Sequence, residues 1–344
     1  MARNRETGWL QAWYGESRWT LWLLPLAILY RLLSAVRRFI LQRFVRQRLP
    51  VPVVVVGNIT VGGTGKTPLL IALVKHLQQQ GLQPGVVSRG YGGKSSHWPL
   101  EITSGARVEE TGDEPMIIFQ QTGCAVCVGP DRVASARRLI ARGCNIILSD
   151  DGLQHYRLGR DLEIAVIDGT RGFGNGYPLP VGPLREPVSR LDKVAMIVVN
   201  GGEKPAGALA DRHHYRMQMQ PAWLERVGNG ERLSLDHLPA GSRVDAVAGI
   251  GNPDRFFATL TRLQWQPVPH SFPDHHRYGA GDFHFAGSLP LVMTTKDAVK
   301  CRPFAAGDWY AVQVEAAMSD DFFPAFDQLI KPLLPTSVTN VDSQ

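Results

Sequence analysis

The stretch VVVVGNITVGGTGKTP, which runs from Val53 to Pro68, decides how this chain folds. Its four consecutive valines predict a buried strand, and an apolar helical pattern begins directly after the glycine-rich turn. The turn follows the phosphate-binding template G-x-x-x-x-G-K-[ST] except at the first position, where Thr60 replaces glycine. We therefore expect a phosphate-binding loop (P-loop) whose first part is altered and whose cradle is intact.

Six consecutive residues form the predicted nucleotide-binding set, which is Gly62, Gly63, Thr64, Gly65, Lys66 and Thr67. A phosphate cradle needs backbone N–H groups that converge on anionic oxygens in front of a helix N-terminus, and glycine permits that close approach. The Lys66 ammonium is expected to reach the β- and γ-phosphates, and the Thr67 hydroxyl to ligate Mg²⁺. The sequence thus predicts nucleotide binding.

A second motif supplies acidic side chains. Residues 145–151 read as an apolar strand that ends in Asp150 and Asp151, where a P-loop protein places the aspartate that holds Mg²⁺. Both aspartates are predicted metal ligands, and spacing does not decide which lies nearer the ion. The alternative is a solvated Asp-Asp-Gly turn.

Short β-branched runs alternate with helical patterns after Pro50, which predicts a parallel sheet covered by helices on both faces. The fold class expected is α/β, with a P-loop NTPase-like, mostly parallel sheet, a smaller second α/β domain and an N-terminal membrane-associated helix. Predicted strands cover 51–56, 83–88, 145–149, 163–167, 193–199, 245–250, 291–294 and 309–314, and predicted helices cover 68–80, 131–142 and 253–263. The glycine- and proline-rich stretch 171–183 is expected to be a functional loop.

Composition narrows the class of protein. The 344 residues suffice for two domains, and 44% hydrophobic with 20% charged residues is typical of a folded chain. Four scattered cysteines do not form a disulfide framework and favour a reducing compartment. Residues 1–50 hold nine arginines against two glutamates, whereas the other 28 basic and 29 acidic residues nearly balance. Because the positive charge belongs to one segment, no nucleic-acid partner is expected.

That basic segment also contains the most apolar run, Thr20–Tyr30. Eleven residues are too few to span a bilayer as a helix, which needs about 20, and no good signal-cleavage site follows. From Leu29 onward the helical period puts an apolar stripe opposite a polar side rich in arginine. The pattern predicts a helix that lies in the headgroup layer of an anionic leaflet. The alternative is a helix whose stripe packs on this protein's own core and whose arginines are solvated.

A competing class is the ParA/MinD-like membrane-associated switch ATPase, whose deviant P-loops are similar to Gly-Gly-Thr-Gly-Lys-Thr. Those loops carry a lysine directly before the Gly-Gly pair, where this chain has Val61, and their membrane helix is usually C-terminal. A P-loop kinase of a soluble metabolite is a third possibility.

Taken together, the motifs resemble those of the tetraacyldisaccharide 4′-kinases of lipid A biosynthesis, in the same order and over nearly the whole chain. The matching motifs are GNITVGGTGKTP (57–68), SRGYGGK (88–94), TGDEP (111–115), GPDR (129–132), SDDGLQH (149–155), LPVGPLREP (179–187), FPDH (272–275) and TKDAV (295–299). Val181 stands where the family usually has a small residue.

The resemblance implies an ATP- and Mg²⁺-dependent kinase that phosphorylates the 4′-hydroxyl of an acylated glucosamine disaccharide 1-phosphate, giving lipid IVA. It implies a peripheral, monotopic enzyme on the cytoplasmic face of a bacterial inner membrane, and no protein partner is inferred. The expected units are a membrane-associated segment (1–48), a P-loop kinase core (49–205), a β-ribbon linker (206–240) and a smaller α/β domain (241–344).

The resemblance also implies roles for single residues. Asp113 is expected to be the general base, oriented by His275 with His276 as the fallback, and Lys66 joins them in the catalytic set. The alternative for Asp113 is a cap on a helix that starts at Pro115. Predicted substrate-binding residues are Tyr91, Arg132, Gln154, His155, Arg185 and Glu186, of which the two arginines suit the 1-phosphate and the others suit sugar hydroxyls. The alternative for each arginine is a surface ion pair.

Overall fold

Thirteen strands of the described chain, residues 2–202, 207–209 and 211–334, join in one mixed sheet in the computed structural model. The strands are β1 (Val53–Gly57), β2 (Pro84–Ser88), β3 (Leu100–Glu101), β4 (Ala125–Val128), β5 (Ile146–Ser149), β6 (Leu162–Asp168), β7 (Met196–Asn200), β8 (Tyr215–Arg226), β9 (Arg232–Leu233), β10 (Arg243–Ala248), β11 (Gln266–Ser271), β12 (Leu291–Thr294) and β13 (Trp309–Met318). Their order is β11-β10-β12-β13-β8-β7-β6-β1-β5-β2-β4-β3, and β9 pairs with β8. The predicted boundary at 205/206 and residues 335–344 lie outside the described residues.

The α-helices of the described chain flank this sheet. They are α1 (Ala2–Tyr14), α2 (Leu24–Ile40), α3 (Lys66–Gln79), α4 (Val108–Thr111), α5 (Asp113–Thr122), α6 (Arg132–Ala141), α7 (Pro253–Arg262), α8 (Thr295–Cys301) and α9 (Phe322–Ile330). The predicted α/β class with a mostly parallel sheet is confirmed.

The strand quoted first lies at the middle of the parallel region, where β1 pairs with β5 on one side and β6 on the other. Successive side chains of a strand point to opposite faces. Val54 and Val56 accordingly join the core that contains α3, whereas Val53 and Val55 join the core that contains α6. All four are at most 1% exposed, so both faces of this strand are buried as the valine run predicts.

The long strand β8 joins the two halves of the sheet. It pairs in parallel with β7, where Val198 lies opposite Tyr215, and it pairs antiparallel with β13 along most of its length. The register of that second pairing shifts between Gln313 and Val314, which marks a β-bulge. The sheet therefore continues without interruption from the P-loop half into the C-terminal half.

The N-terminal segment forms one long helical stretch of 27 residues, Trp19–Val45, and an 18-residue part of it has a mean hydropathy of 1.6. It consists of a 3₁₀ turn, α2 and a π-helical turn over Leu41–Val45. By length and composition alone this helix is long enough to cross a membrane, whereas the apolar run Thr20–Tyr30 by itself is too short. The helix is longer than that run because the apolar pattern continues on one side after Arg31.

The apolar stripe of this helix faces away from the protein. Its members, Leu29, Leu32, Leu33, Val36, Ile40 and Phe44, are between 45% and 72% exposed. The opposite side contacts the core: Ala27 is 1% exposed, and the Tyr30 hydroxyl donates to the Arg185 carbonyl at 3.3 Å. The alternative in which the stripe packs on the protein's own core is therefore wrong. An exposed apolar surface of this size indicates contact with a membrane or a partner.

Candidate active site

The turn between β1 and α3 has the backbone of an anion cradle. Gly62 and Gly65 adopt φ of +106° and +91°, a region that favours glycine. Helix α3 begins at Lys66, and no described side chain caps its N-terminus. The first N–H groups of a helix have no partner inside it, so those of α3 remain available for anionic oxygens.

Neighbouring strands and loops fix the conformation of this turn. Asn200, at the end of β7, donates its amide to the Thr64 carbonyl at 3.0 Å, and Asn58 donates to the Gly62 carbonyl at 3.2 Å. A Cβ added to Gly65 would lie 2.3 Å from the Asn200 amide nitrogen, so only glycine fits there. Thr60, in the altered first part of the loop, forms an isolated antiparallel bridge with Leu184. Sequence analysis missed Asn200, although its place at the carboxyl end of a predicted strand was a usable signal.

Lys66 and Asp151 form the centre of the charged site. The Lys66 ammonium lies 3.3 Å from Asp151 Oδ1, and Arg185 Nη1 lies 3.1 Å from Oδ2. Burial alone would raise the pKa of Asp151, but the charges of Lys66, Arg185 and Arg132 hold it at about 2. Asp151 is therefore ionised at all physiological pH values.

Asp150 occupies a different environment from its neighbour. It is 1% exposed, and Ser88 donates its hydroxyl to Oδ2 at 3.3 Å. Burial, with the charges of Glu114 and Asp151, raises the pKa of Asp150 to about 7. Its Oδ1 is buried without a hydrogen-bond partner among the described residues, which suits an oxygen that a cation would complete.

The described residues hold no cluster of three or more His, Cys, Asp or Glu side chains that would bind a metal by themselves. Mg²⁺ in nucleotide sites usually takes one or two carboxylates and completes its shell with phosphate oxygens and water. Asp150, Asp151 and the buried Thr67 hydroxyl fit that kind of site.

Asp113 lies at the start of α5 and contacts two cations from the C-terminal half. His275 Nδ1 donates to its Oδ2 at 3.1 Å, and the Lys300 ammonium lies 3.1 Å from the same oxygen. Gly112, not Asp113, is the residue that precedes the helix, so the capping alternative is wrong. His276 instead contacts Asp282, at 3.2 Å.

The two partners shift each other's pKa in opposite directions. Burial would raise the pKa of Asp113, but the hydrogen bond from His275 and the charge of Lys300 keep it below its ordinary value. The same hydrogen bond raises the pKa of His275 above its ordinary value. The hydrogen bond therefore favours the charged form of both side chains.

Helix α8 contributes two lysines one helical turn apart, both of which sequence analysis missed as site residues. Lys300 pairs with Asp113, and the Lys296 ammonium lies 2.5 Å from Oε1 of the next residue, Glu114. Residues i and i+4 lie on the same side of a helix, so this spacing directs both ammonium groups to α5. The two ion pairs connect the P-loop half of the sheet to the C-terminal half.

A cavity of about 1030 Å³ opens beside Asp151, and we call it the arginine cavity. Five of the predicted substrate-binding residues line it, which are Arg132, Gln154, His155, Arg185 and Glu186. Four more arginines that sequence analysis did not assign to a site also line it, which are Arg31, Arg37, Arg38 and Arg89. The first three come from the long N-terminal helix, so the arginine side that the sequence placed toward lipid headgroups faces this cavity. The structure does not bring Tyr91 there: its ring packs 5.4 Å from that of His275, centroid to centroid.

Hydrogen bonds hold two buried charged side chains in the wall of the arginine cavity. Glu186 is 8% exposed, accepts from the Gln154 amide at 2.7 Å and accepts from the Tyr156 hydroxyl. Arg132 is 4% exposed and donates to the Asp151 carbonyl at 3.0 Å. Burial and the charge of Arg132 lower the pKa of His155 to about 4, so its imidazole is neutral. The positive charge of the cavity therefore comes from arginine and not from histidine.

The Asp113–His275 pair predicts a specific pH dependence of stability. A histidine whose pKa is raised by folding stabilises the folded chain fully below its ordinary value of 6.5, and this is lost as the pH rises through the raised pKa. We expect His275→Gln to lower the melting temperature by about 2–4 °C at about pH 5.5 and by less at about pH 9. Scanning calorimetry at both pH values tests this, with exposed His284→Gln as control. A deficit that grows with pH would contradict the assignment.

These features define a P-loop nucleotide-binding protein with an arginine-lined cavity beside the loop. A model of the family described as tetraacyldisaccharide-1-P 4′-kinase matches residues 19–331. The tetraacyldisaccharide 4′-kinase of Pseudomonas putida strain F1 is 49% identical over 332 residues, which are 94% of this chain and 97% of that protein. The one from Azotobacter vinelandii is 47% identical over 336 residues, 95% of this chain and 98% of that protein. The chain belongs to the tetraacyldisaccharide-1-P 4′-kinase family.

A solved structure agrees with this membership. The crystal structure of LpxK from Aquifex aeolicus in complex with ATP has a TM-score of 0.79 and 25% sequence identity to this chain. The match covers 92% of this chain and 99% of that one. Family membership confirms the resemblance found in the sequence and decides against both the switch ATPase and the kinase of a soluble metabolite.

Proposed function

We propose that this kinase transfers the γ-phosphate of ATP to the 4′-hydroxyl of a tetraacylated glucosamine disaccharide 1-phosphate, which yields lipid IVA for lipid A. The observation that carries the proposal is the position of Asp151. It contacts Lys66 of the P-loop and also lines the arginine cavity. A triphosphate on the loop and an anionic acceptor in the cavity would therefore meet at one carboxylate.

The donor site is assigned to the P-loop. The free N–H groups at the start of α3 and the Lys66 ammonium would bind the phosphates of ATP. Asp150, Asp151 and Thr67 would hold Mg²⁺, which neutralises charge on the phosphates. Since Asp150 has a pKa of about 7 and one unpaired oxygen, it would lose its proton when the cation arrives.

The acceptor hydroxyl needs a group that takes its proton. Both cationic partners of Asp113 lie on Oδ2, so Oδ1 is left for the 4′-hydroxyl. His275 and Lys300 would orient the carboxylate, and Oδ1 would accept the proton of the 4′-hydroxyl. The 4′-oxygen then bonds to the γ-phosphorus while the bond from that phosphorus to the β,γ-bridging oxygen breaks, and ADP leaves. Because both partners come from the C-terminal half, the base is complete only when the two halves are together.

The arginine cavity is assigned to the sugar-phosphate part of the acceptor. Arg132 and Arg185 would bind the 1-phosphate as guanidinium forks, and Gln154, His155 and Glu186 would contact sugar hydroxyls. Tyr91 is assigned to the acceptor from the side of His275. We further propose that the units 49–205 and 241–344 act as two domains joined through 206–240.

The reaction is tested by incubating the protein with γ-labelled ATP and an acylated disaccharide 1-phosphate dispersed in detergent. We expect label in the organic phase that depends on acceptor and Mg²⁺. Label released only as inorganic phosphate would contradict the proposed acceptor.

The exposed stripe of the N-terminal helix is proposed to hold the enzyme at the cytoplasmic face of the inner membrane, where the acyl chains of the acceptor stay. Leu33 is 61% exposed in the middle of this stripe. Leu33→Glu is expected to weaken binding to anionic vesicles and to raise KM about tenfold for acceptor in vesicles, without changing KM for ATP. Leu329→Glu, at a 40% exposed position on α9, is the control. An equal rise in both KM values would refute this role.

A further inference from the structure

A second cavity, of about 340 Å³, lies where the long N-terminal helix ends against the core, and we call it the basic cavity. Its lining includes five cationic side chains, which are Arg38, Arg46, Arg160, Arg190 and Lys193. Of the residues that line either cavity, only Arg38 is shared with the arginine cavity. The basic cavity has no part in the proposed reaction.

The acidic residues of this cavity are already engaged. Glu163 Oε1 lies 2.9 Å from Arg160 and 2.5 Å from Arg190. Asp161 accepts from the Val53 backbone N–H at 2.9 Å. A third carboxylate, Glu186, lies 3.4 Å from Arg190 and 3.7 Å from Arg38. Three carboxylates thus face five cations, which leaves a surplus of two positive charges.

The surplus charge is found on the side nearest the helix. Lys193 has no ion-pair partner in the part of the chain that the structure describes, and Arg46 donates only to the Arg160 carbonyl there, at 2.9 Å. Arg38 Nη1 lies 3.7 Å from Glu186 Oε2, which is a long distance for an ion pair. An uncompensated cluster of guanidinium and ammonium groups in a concave site suits a phosphate group.

The position of the cavity on the helix indicates where that phosphate comes from. The cavity lies on the polar side, whereas Val36, Ile40 and Phe44 of the stripe face outward and are 56%, 45% and 72% exposed. A helix is about 10 Å across, so with the stripe in the hydrocarbon boundary the opposite side lies at the depth of lipid phosphates. Phe39, beside Arg38, is 64% exposed and offers an apolar contact for the acyl chains of lipids next to the helix.

We propose that the basic cavity binds the phosphate ester of an anionic membrane lipid other than the acyl acceptor. A single phosphodiester headgroup fits a cavity of this size, which is near the lower end of ligand pockets at about 300–1000 Å³. The bound lipid fixes the end of the helix to the leaflet, while the arginine cavity remains open to the acceptor.

Binding to vesicles without ATP or acceptor tests this site separately from the kinase reaction. Vesicles of phosphatidylcholine are compared with vesicles that also contain phosphatidylglycerol. Arg46→Gln and Lys193→Gln are each expected to weaken binding to the anionic vesicles about tenfold or more, because each removes a charged hydrogen bond to phosphate. Arg43→Gln is the matched control. Arg43 lies in the π-helical turn Leu41–Val45 directly before Arg46 and lines neither cavity, so its loss should weaken binding about fivefold at most, as a lost surface charge.

Three results would overturn the proposal. Equal losses in all three variants would mean that the helix senses only surface charge. Binding of soluble glycerol phosphate with the same variant pattern, and without discrimination between the vesicles, would assign the cavity to a soluble phosphate ester. Kinase activity of Lys193→Gln on acceptor in detergent should equal that of the wild type, and a loss there would show instead that the site supports the fold or the reaction.

Discussion

Asp113→Asn should lower turnover by about two to four orders of magnitude and leave the affinity for ATP nearly unchanged. Asparagine keeps the size of the side chain but cannot accept the proton of the 4′-hydroxyl. The carboxylate contacts His275 and Lys300 and is not among the residues of the P-loop, so nucleotide binding does not depend on it. Single-turnover kinetics and equilibrium ATP binding together measure the two effects.

The matched control for this variant is Glu110→Gln. It changes a carboxylate of the preceding helix α4, which pairs with Arg107 on the surface at 2.9 Å. If turnover falls in Asp113→Asn and not in the control variant, the result supports Asp113 as the general base. If Asp113→Asn instead lost its affinity for ATP, the residue would belong to the nucleotide site.

Lys66→Met should reduce kcat/KM by about two to three orders of magnitude and also weaken ATP binding. The ammonium is the only side-chain cation of the predicted nucleotide-binding set, and it is 12% exposed at 3.3 Å from Asp151. Methionine keeps the length and apolar part of the side chain, so the loss reports the charge. Steady-state kinetics and calorimetric titration with ATP measure both quantities.

Lys75→Met is the comparison for that experiment, because Lys75 lies on the same helix and pairs with Glu315 at 3.0 Å on the surface. A surface ion pair contributes about 0–1 kcal/mol, so activity should hardly change. If Lys66→Met bound ATP as tightly as the wild type, the P-loop assignment would be wrong.

Local motifs predicted the P-loop half of the fold well. A run of valines, a glycine turn and an apolar helix are consecutive in sequence, so β1, the loop and α3 follow from neighbouring residues. The strands around β1 were found for the same reason, since buried parallel strands are continuous apolar runs.

Strands with a polar side were harder to predict. In β8, Tyr215 and Met217 are buried while Arg216 and Gln218 are exposed, so polar residues obscure its period of two and the pattern alone predicted no strand there. In β11, Pro267 and Pro269 argued against a strand, yet β11 is an edge of the sheet and pairs only with β10 within the described chain. Proline is tolerated at such an edge because its missing N–H leaves no partner unsatisfied.

The charged contacts of the site depend on folding in three dimensions. His275 and Asp113 are separated by 162 positions, and spacing alone gives no reason to join them; the family resemblance did. Lys300 and Lys296 carried no comparable signal, because ion pairs between distant helices are fixed only by how the sheet orders its strands. The inward direction of Arg38 was missed because periodicity defines two sides of a helix and does not say which one contacts the core.

The unbroken sheet sets how the two halves of this enzyme can move. Strand β8 forms backbone hydrogen bonds with both β7 and β13. The two halves therefore cannot move apart without breaking hydrogen bonds between these strands. The bulge at Gln313 and Val314 strengthens the local twist of the β8–β13 ribbon. Opening and closing would therefore be torsion of that ribbon, which turns α8 and its lysines toward or away from α5 along a single arc.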